Sequence, residues 1–160
     1  MNIKKRFLSL AVAGVALAAP MTADAAVVKL GVSGSNEFLT YNPTVGFPTM
    51  KPTTSATPSQ QRWDQIKGPG PTSYFRHVSS GLCMRASASN NAFLRMSTCN
   101  FSDNAASREQ QWILSAGRLA NRARLIAGNP ASHAIADFNN INHVVKMGPF
   151  DNRNWFSIPA

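Results

Sequence analysis

Gly81-Leu82-Cys83-Met84, then Phe93-Leu94-Arg95-Met96, then Cys99-Asn100 and Gln110-Gln111-Trp112 form the stretch on which the fold of this chain turns. Each phrase is a short apolar run, and the segments between them are filled with Ser, Asn, Asp and Ala. Short runs punctuated by turn-forming residues predict an all-β sandwich or barrel. The same rhythm extends outward to Val27-Val28-Lys29-Leu30, Tyr74-Phe75-Arg76-His77-Val78, Arg124-Leu125-Ile126 and His143-Val144-Val145-Lys146-Met147. No long segment keeps the 3.6-residue period of a helix. Residues 105–111 offer a helical turn at most.

The stretch also recurs. Trp63, Trp112 and Trp155 stand 49 and 43 residues apart, and each opens a short apolar phrase. Two carry a glutamine two residues earlier, as Gln61-Arg62-Trp63 and Gln110-Gln111-Trp112, whereas the third reads Arg153-Asn154-Trp155. Upstream of each tryptophan lies a methionine in a strand-like setting, Met50, Met96 and Met147. Residues i and i+2 of a strand share a face, so Gln and Trp project together. A buried glutamine must find hydrogen-bond partners, which assigns Gln61 and Gln110 to fixing loops and the three tryptophans to the core.

The first 25 residues read as an export signal. Lys4, Lys5 and Arg6 precede an apolar run from Leu8 to Ala19, and Ala23-Asp24-Ala25 supplies a small-x-small cleavage site. That run is too short for a permanent membrane anchor, and no later stretch predicts a transmembrane segment. Cleavage would leave residues 26–160 with 13 basic and 6 acidic residues, a net charge of +7, against +9 for the whole chain. An even pair of cysteines in an exported chain is read first as a disulfide, here Cys83 with Cys99. His77, His133 and His143 show no close spacing with them, so a metal site is not expected.

The middle repeat resembles one repeat of the ricin B-type lectins, through Gly81-Leu82-Cys83-Met84, Phe93-Leu94-Arg95-Met96, Cys99-Asn100 and Gln110-Gln111-Trp112. The resemblance implies a single β-trefoil over 26–160, with repeats at about 26–66, 67–115 and 116–160. It further implies that Cys83–Cys99 is the intra-repeat disulfide and Gln110 and Trp112 the family's Gln-x-Trp signature. The narrower phrase Gly-Leu-Cys-Met with Leu-Arg-Met-x-x-Cys is similar to the A and C subunits of cytolethal distending toxins. Those exported subunits flank a nuclease subunit and help it bind and enter host cells.

The implied function is non-catalytic recognition of a cell-surface glycan or glycoprotein, with other subunits of a toxin complex as further partners and no cofactor. A ricin-type repeat has Asp two residues after its first cysteine, where it accepts bonds from sugar hydroxyls; here that position is Arg85, which only donates. In the third repeat the resemblance puts Ala134 where the first cysteine would fall. The glycan-binding candidates are Arg85, Phe93, Asn100, Asn104 and Gln110 in the second repeat, and Asp137, Asn139, Asn140 and Asn142 in the third.

Other chemistries find little material. The histidines and acids are scattered without a nucleophile–base signature. Two prolines in Gly68-Pro69-Gly70-Pro71 exclude a phosphate-cradling nest. Arg118, Arg122 and Arg124 make the densest basic run, read either as a solvated hairpin rim or as a contact for an anionic surface or an acidic partner subunit. Export argues against intracellular nucleic acid as partner. Residues 40–60, rich in Pro, Thr and Ser, read as an extended assembly strap, a long loop or a partly disordered segment.

Overall fold

The computed structural model describes residues 25–160. The expected export signal therefore lies outside the described residues, apart from Ala25. Twelve strands follow one another: β1 Ala26–Val32, β2 Glu37–Tyr41, β3 Pro48–Pro52, β4 Trp63–Lys67, β5 Ser73–His77, β6 Leu82–Arg85, β7 Arg95–Thr98, β8 Trp112–Ser115, β9 Arg118–Asn121, β10 His133–Asp137, β11 Val144–Gly148 and β12 Trp155–Pro159. Two short helical turns, α1 Ala105–Arg108 and α2 Arg122–Ile126, interrupt them.

The strands fall into three fours. The first and last of each four build a barrel through the antiparallel pairs β1–β4, β4–β5, β5–β8, β8–β9 and β12–β1. The remaining gap, between β9 and β12, is spanned by the Trp155 N–H donating to the Gly117 carbonyl at 2.7 Å. The middle two strands of each four form a hairpin: β2–β3, β6–β7 and β10–β11. Three hairpins capping a six-stranded barrel make a β-trefoil. Alternation of the pleat sets which residues enter the core. In β1, for example, Val28, Leu30 and Val32 are buried while Lys29 between them is half-exposed.

Each tryptophan is the first residue of the fourth strand in its set and is buried. Its indole N–H donates to a backbone carbonyl on the second strand: Trp63 to Leu39 at 2.9 Å, Trp112 to Met84 at 3.0 Å and Trp155 to Ala134 at 2.9 Å. Cross-strand from those three residues stand Met50, Met96 and Met147. The weak repeat in the sequence is thus one packing unit built three times, with the tryptophan, the carbonyl it binds and the opposed methionine as its parts.

Cys83 and Cys99 are joined, with their Cα atoms 5.0 Å apart. The bond ties β6 to the end of β7, and a loop of that length contributes about 3 kcal/mol in the chain-entropy model.

Three expectations are corrected. Arg124-Leu125-Ile126 is helical, not a strand, because the Asn121 side chain caps the Arg124 N–H and starts α2. Residues 40–60 are no strap: they form the β2–β3 hairpin and a 3-10 turn at Pro58–Gln61. Tryptophan bonding equates Met84 with Ala134, so the counterpart of Cys83 in the third four is His133, not Ala134.

Candidate functional site

The pairing Leu39↔Met50, Met84↔Met96 and Ala134↔Met147 aligns the three hairpins residue by residue. One step along, the position at which the resemblance to ricin-type repeats implies an aspartate holds Thr40, Arg85 and Ile135. No carboxylate occupies it in any of the three hairpins. The residues opposite them are Thr49, Arg95 and Lys146.

The same alignment exposes an asymmetry in the cap. Val144 of the third hairpin pairs with Thr49 of the first, and Phe93 of the second pairs with Lys146 of the third. Backbone bonds follow suit, from Met50 N–H to the His143 carbonyl at 2.7 Å and from Met147 N–H to the Ala92 carbonyl at 3.0 Å. By symmetry the third bridge would join Phe47 to Arg95. Among the described residues it is not made, and there the cap opens into a cleft of about 480 Å³ lined by Gly46, Phe47 and residues 91–96. Phe93 is 40% exposed, and its ring packs on that of Phe47 with centroids 4.8 Å apart. Leu94 points inward and is fully buried, which turns its neighbours Phe93 and Arg95 outward on one side. Aromatic faces beside a few polar groups, here Asn91 and Arg95, are what an open ligand site requires.

The other candidates divide sharply. Gln110 is 4% exposed and its amide is used: it donates to the Thr98 carbonyl and the Ser97 hydroxyl, and accepts from the Asn100 N–H, each at 2.8 Å. Gln61 does the equivalent work in the first four, donating to the Lys51 carbonyl at 2.9 Å and to Thr40 Oγ1. The Asn100 side chain accepts from Ser102 N–H, and Asn104 caps α1 by accepting from Ser107 N–H at 2.9 Å. These three second-repeat residues hold loops. Arg85 sits at the exposed end of β6, its Nε donating to Glu109 at 2.6 Å.

In the third hairpin, Asp137 accepts from Lys146 Nζ at 2.9 Å and from Asn139 N–H. The lysine's hydrogen bond is the leading reason its carboxyl lies below the ordinary carboxylate range. Asn140 and Asn142 belong to the same turn, where the Asn140 side chain accepts from Asn142 N–H at 2.9 Å. None of these residues lines the Phe47–Phe93 cleft, although Lys146, the partner of Asp137, is bridged to Phe93.

The basic run does not form one surface. Arg118 is exposed over the Phe150 ring, 4.2 Å from its centre. Arg122 lies between Asp103 and the Gln111 side-chain oxygen. Arg124 is 7% exposed and donates to the carbonyls of Ala131, Ser87 and Ala88 and to the Asn90 side chain. It fastens the loop between β6 and β7 from behind. Sequence reasoning missed Phe47 and this role of Arg124, since each acts on residues distant in the chain.

All six acids of the described residues have a basic partner: Glu37 with His143, Asp64 with Arg76, Asp103 with Arg122, Glu109 with Arg85, Asp137 with Lys146, and Asp151 with Arg153. The positive excess is carried by side chains outside these pairs, Arg95 among them. No group of three or more His, Cys, Asp or Glu among the described residues could hold a metal ion. No helix among them is long and apolar enough to cross a membrane.

No protein-family model matches the chain, and no curated protein matches it in sequence. Solved structures do match. The GlcNAcα1-4Gal-releasing endo-β-galactosidase of Clostridium perfringens aligns with a TM-score of 0.66 at 13% identity, over 84% of this chain and 32% of that one. A non-toxic homologue of type II RIPs from Momordica charantia, solved with α-methyl-D-galactoside, aligns at 0.61 and 12% identity, over 84% and 48%. The cytolethal distending toxin of Haemophilus ducreyi aligns at 0.60 and 16% identity, over 88% and 87%. The chain thus spans about a third of the first protein's length and about half of the second's. At these identities the likeness is one of fold, and the fold is a ricin-B-like β-trefoil.

Proposed function

We propose that the chain is an exported, non-catalytic recognition domain that binds a cell-surface glycan or glycoprotein at the Phe47–Phe93 cleft, as the receptor-binding subunit of a secreted toxin. The open cleft, with Phe93 exposed beside the half-buried Phe47, carries the proposal: a sugar ring packs its C–H face on Phe93 while Asn91 and Arg95 bond its polar groups. The disulfide fits an oxidising compartment outside the cytosol. The toxin role is supported by likeness of fold to the Haemophilus ducreyi toxin chain. The protein, produced in a secreting host and purified, is expected to bind a subset of a glycan array, with free sugar competing. Phe93→Ala is expected to weaken that binding at least tenfold with little change in melting temperature, since the ring is partly in solvent. Binding that survives the substitution would rule out the cleft. Binding to no glycan, with tight binding to a co-secreted protein, would replace the lectin role by that of an assembly subunit.

A further inference from the structure

We propose that the cleft selects an acidic sugar, one bearing a carboxylate or a sulfate ester, and seats the anion on Arg95 beside Arg85. This rests on the glycan-binding function proposed above and names the ligand class. Arg85 and Arg95 stand directly opposite one another across β6 and β7. Directly opposed residues on one face have Cβ atoms about 4.5–5.5 Å apart, and like charges there are destabilising. Both side chains are exposed. One carboxylate, Glu109, reaches the pair, and it is bound to Arg85. Among the described residues no acid pairs with Arg95, and none of the six acids lines the cleft.

The fold itself does not call for two opposed arginines. The first hairpin builds the same position from Thr40 and Thr49, and the third from Ile135 and Lys146. The cationic pair occurs only in the hairpin whose bridge to Phe47 is open. Neutral sugars are held largely through hydroxyl protons, which need an acceptor, and a guanidinium has none. It does offer paired N–H donors matched to the two oxygens of a carboxylate, and Arg–anion bonds of this kind are about twice as strong as neutral ones. Phe93 lies two residues before Arg95 on the same outward side, so a sugar ring on the phenyl would carry its anion to the guanidinium.

Titration calorimetry with lactose, sialyllactose and sulfated lactose on the intact purified protein tests this. Both acidic sugars, or one of them, are expected to bind at least tenfold tighter than lactose, and the better one identifies the anion. The preference is expected to shrink as salt is raised from about 50 to 500 mM. Arg95→Gln is expected to bring the acidic sugar down to the affinity of lactose without lowering the melting temperature, since it relieves the like-charge opposition to Arg85. Arg95→Lys is expected to recover only part, because a point charge lacks the paired donors. Equal binding of neutral and acidic sugars, still sensitive to Phe93→Ala, would overturn the ligand class and leave the glycan site standing. An acidic preference that persists in Arg95→Gln would overturn the assignment of the anion seat. Failure of all three sugars and of the wider glycan array would overturn both proposals.

Discussion

The indole N–H of each tryptophan reaches back to a carbonyl on the second strand of its own set, and the glutamines two residues before Trp63 and Trp112 tie down the third. This division of labour was readable from the sequence because it is local: a residue pair at i and i+2 shares a face whatever the rest of the chain does. It also separates structural from functional amides. Gln110→Ala would leave the Asn100 N–H and the Thr98 carbonyl without their buried partner. A buried group left unsatisfied costs about 1–3 kcal/mol, so urea denaturation is expected to show a loss of at least that size. Sugar affinity in the same variant is expected to stay within about twofold, since the amide does not line the cleft. Gln61→Ala, which frees the Lys51 carbonyl in the first four, is expected to behave alike.

At the scale of elements, the β6–β7 hairpin is where the chain invests most of its special chemistry. The disulfide holds the base of the hairpin, and Arg124 of α2 holds the long loop at its tip. The disulfide was legible from the even pair of cysteines behind an expected export signal, whereas the clamp was not. Arg118, Arg122 and Arg124 look equivalent in sequence; only the Asn121 cap, which winds the chain into α2, turns one of them inward. Arg124→Met keeps the apolar stem but removes every donor to Ser87, Ala88 and Ala131. Stability is expected to fall by about 3 kcal/mol, the sum of several orphaned carbonyls. Amide hydrogen exchange over residues 86–92 is expected to accelerate, and sugar affinity to drop although Arg124 lies outside the cleft. Unchanged exchange there would show that the loop is held by its other bonds. Replacing both cysteines by serine is expected to cost about 3 kcal/mol.

Over the whole molecule, threefold pseudosymmetry explains both what the sequence could reveal and what it concealed. The repeated tryptophans disclosed a threefold repeat and the resemblance of the middle repeat implied the trefoil, yet the cleft lies where the symmetry fails, between Phe47 and a loop more than forty residues away. Charge shows the same contrast: the excess of base was a sum over the chain, while the pairing of every acid among the described residues required the fold. That pairing, with the histidines, fixes how the molecule responds to acid. Burial is the main reason His77 and His133 titrate below the ordinary value of 6.5; nearby backbone carbonyls oppose it at His77, and Arg118 reinforces it at His133. The unfolded chain therefore binds their protons first, and stability must fall as pH drops below 6.5 toward the folded values. Asp137 is depressed by Lys146, so the stability it contributes is present above 3.8 and is lost only as pH falls through the lower folded value. Thermal melts are thus expected to be flat above about pH 7, to decline below 6.5 as the two histidines take up protons, and to decline again below 3.8 as Asp137 does. His133→Gln, at a half-buried position, is expected to reduce the first decline and leave the second. A melting temperature unchanged between pH 7 and 5 would mean that burial does not hold these imidazoles neutral, whereas two separate declines would tie the first to His77 on β5 and His133 on β10, and the second to Asp137 at the end of β10.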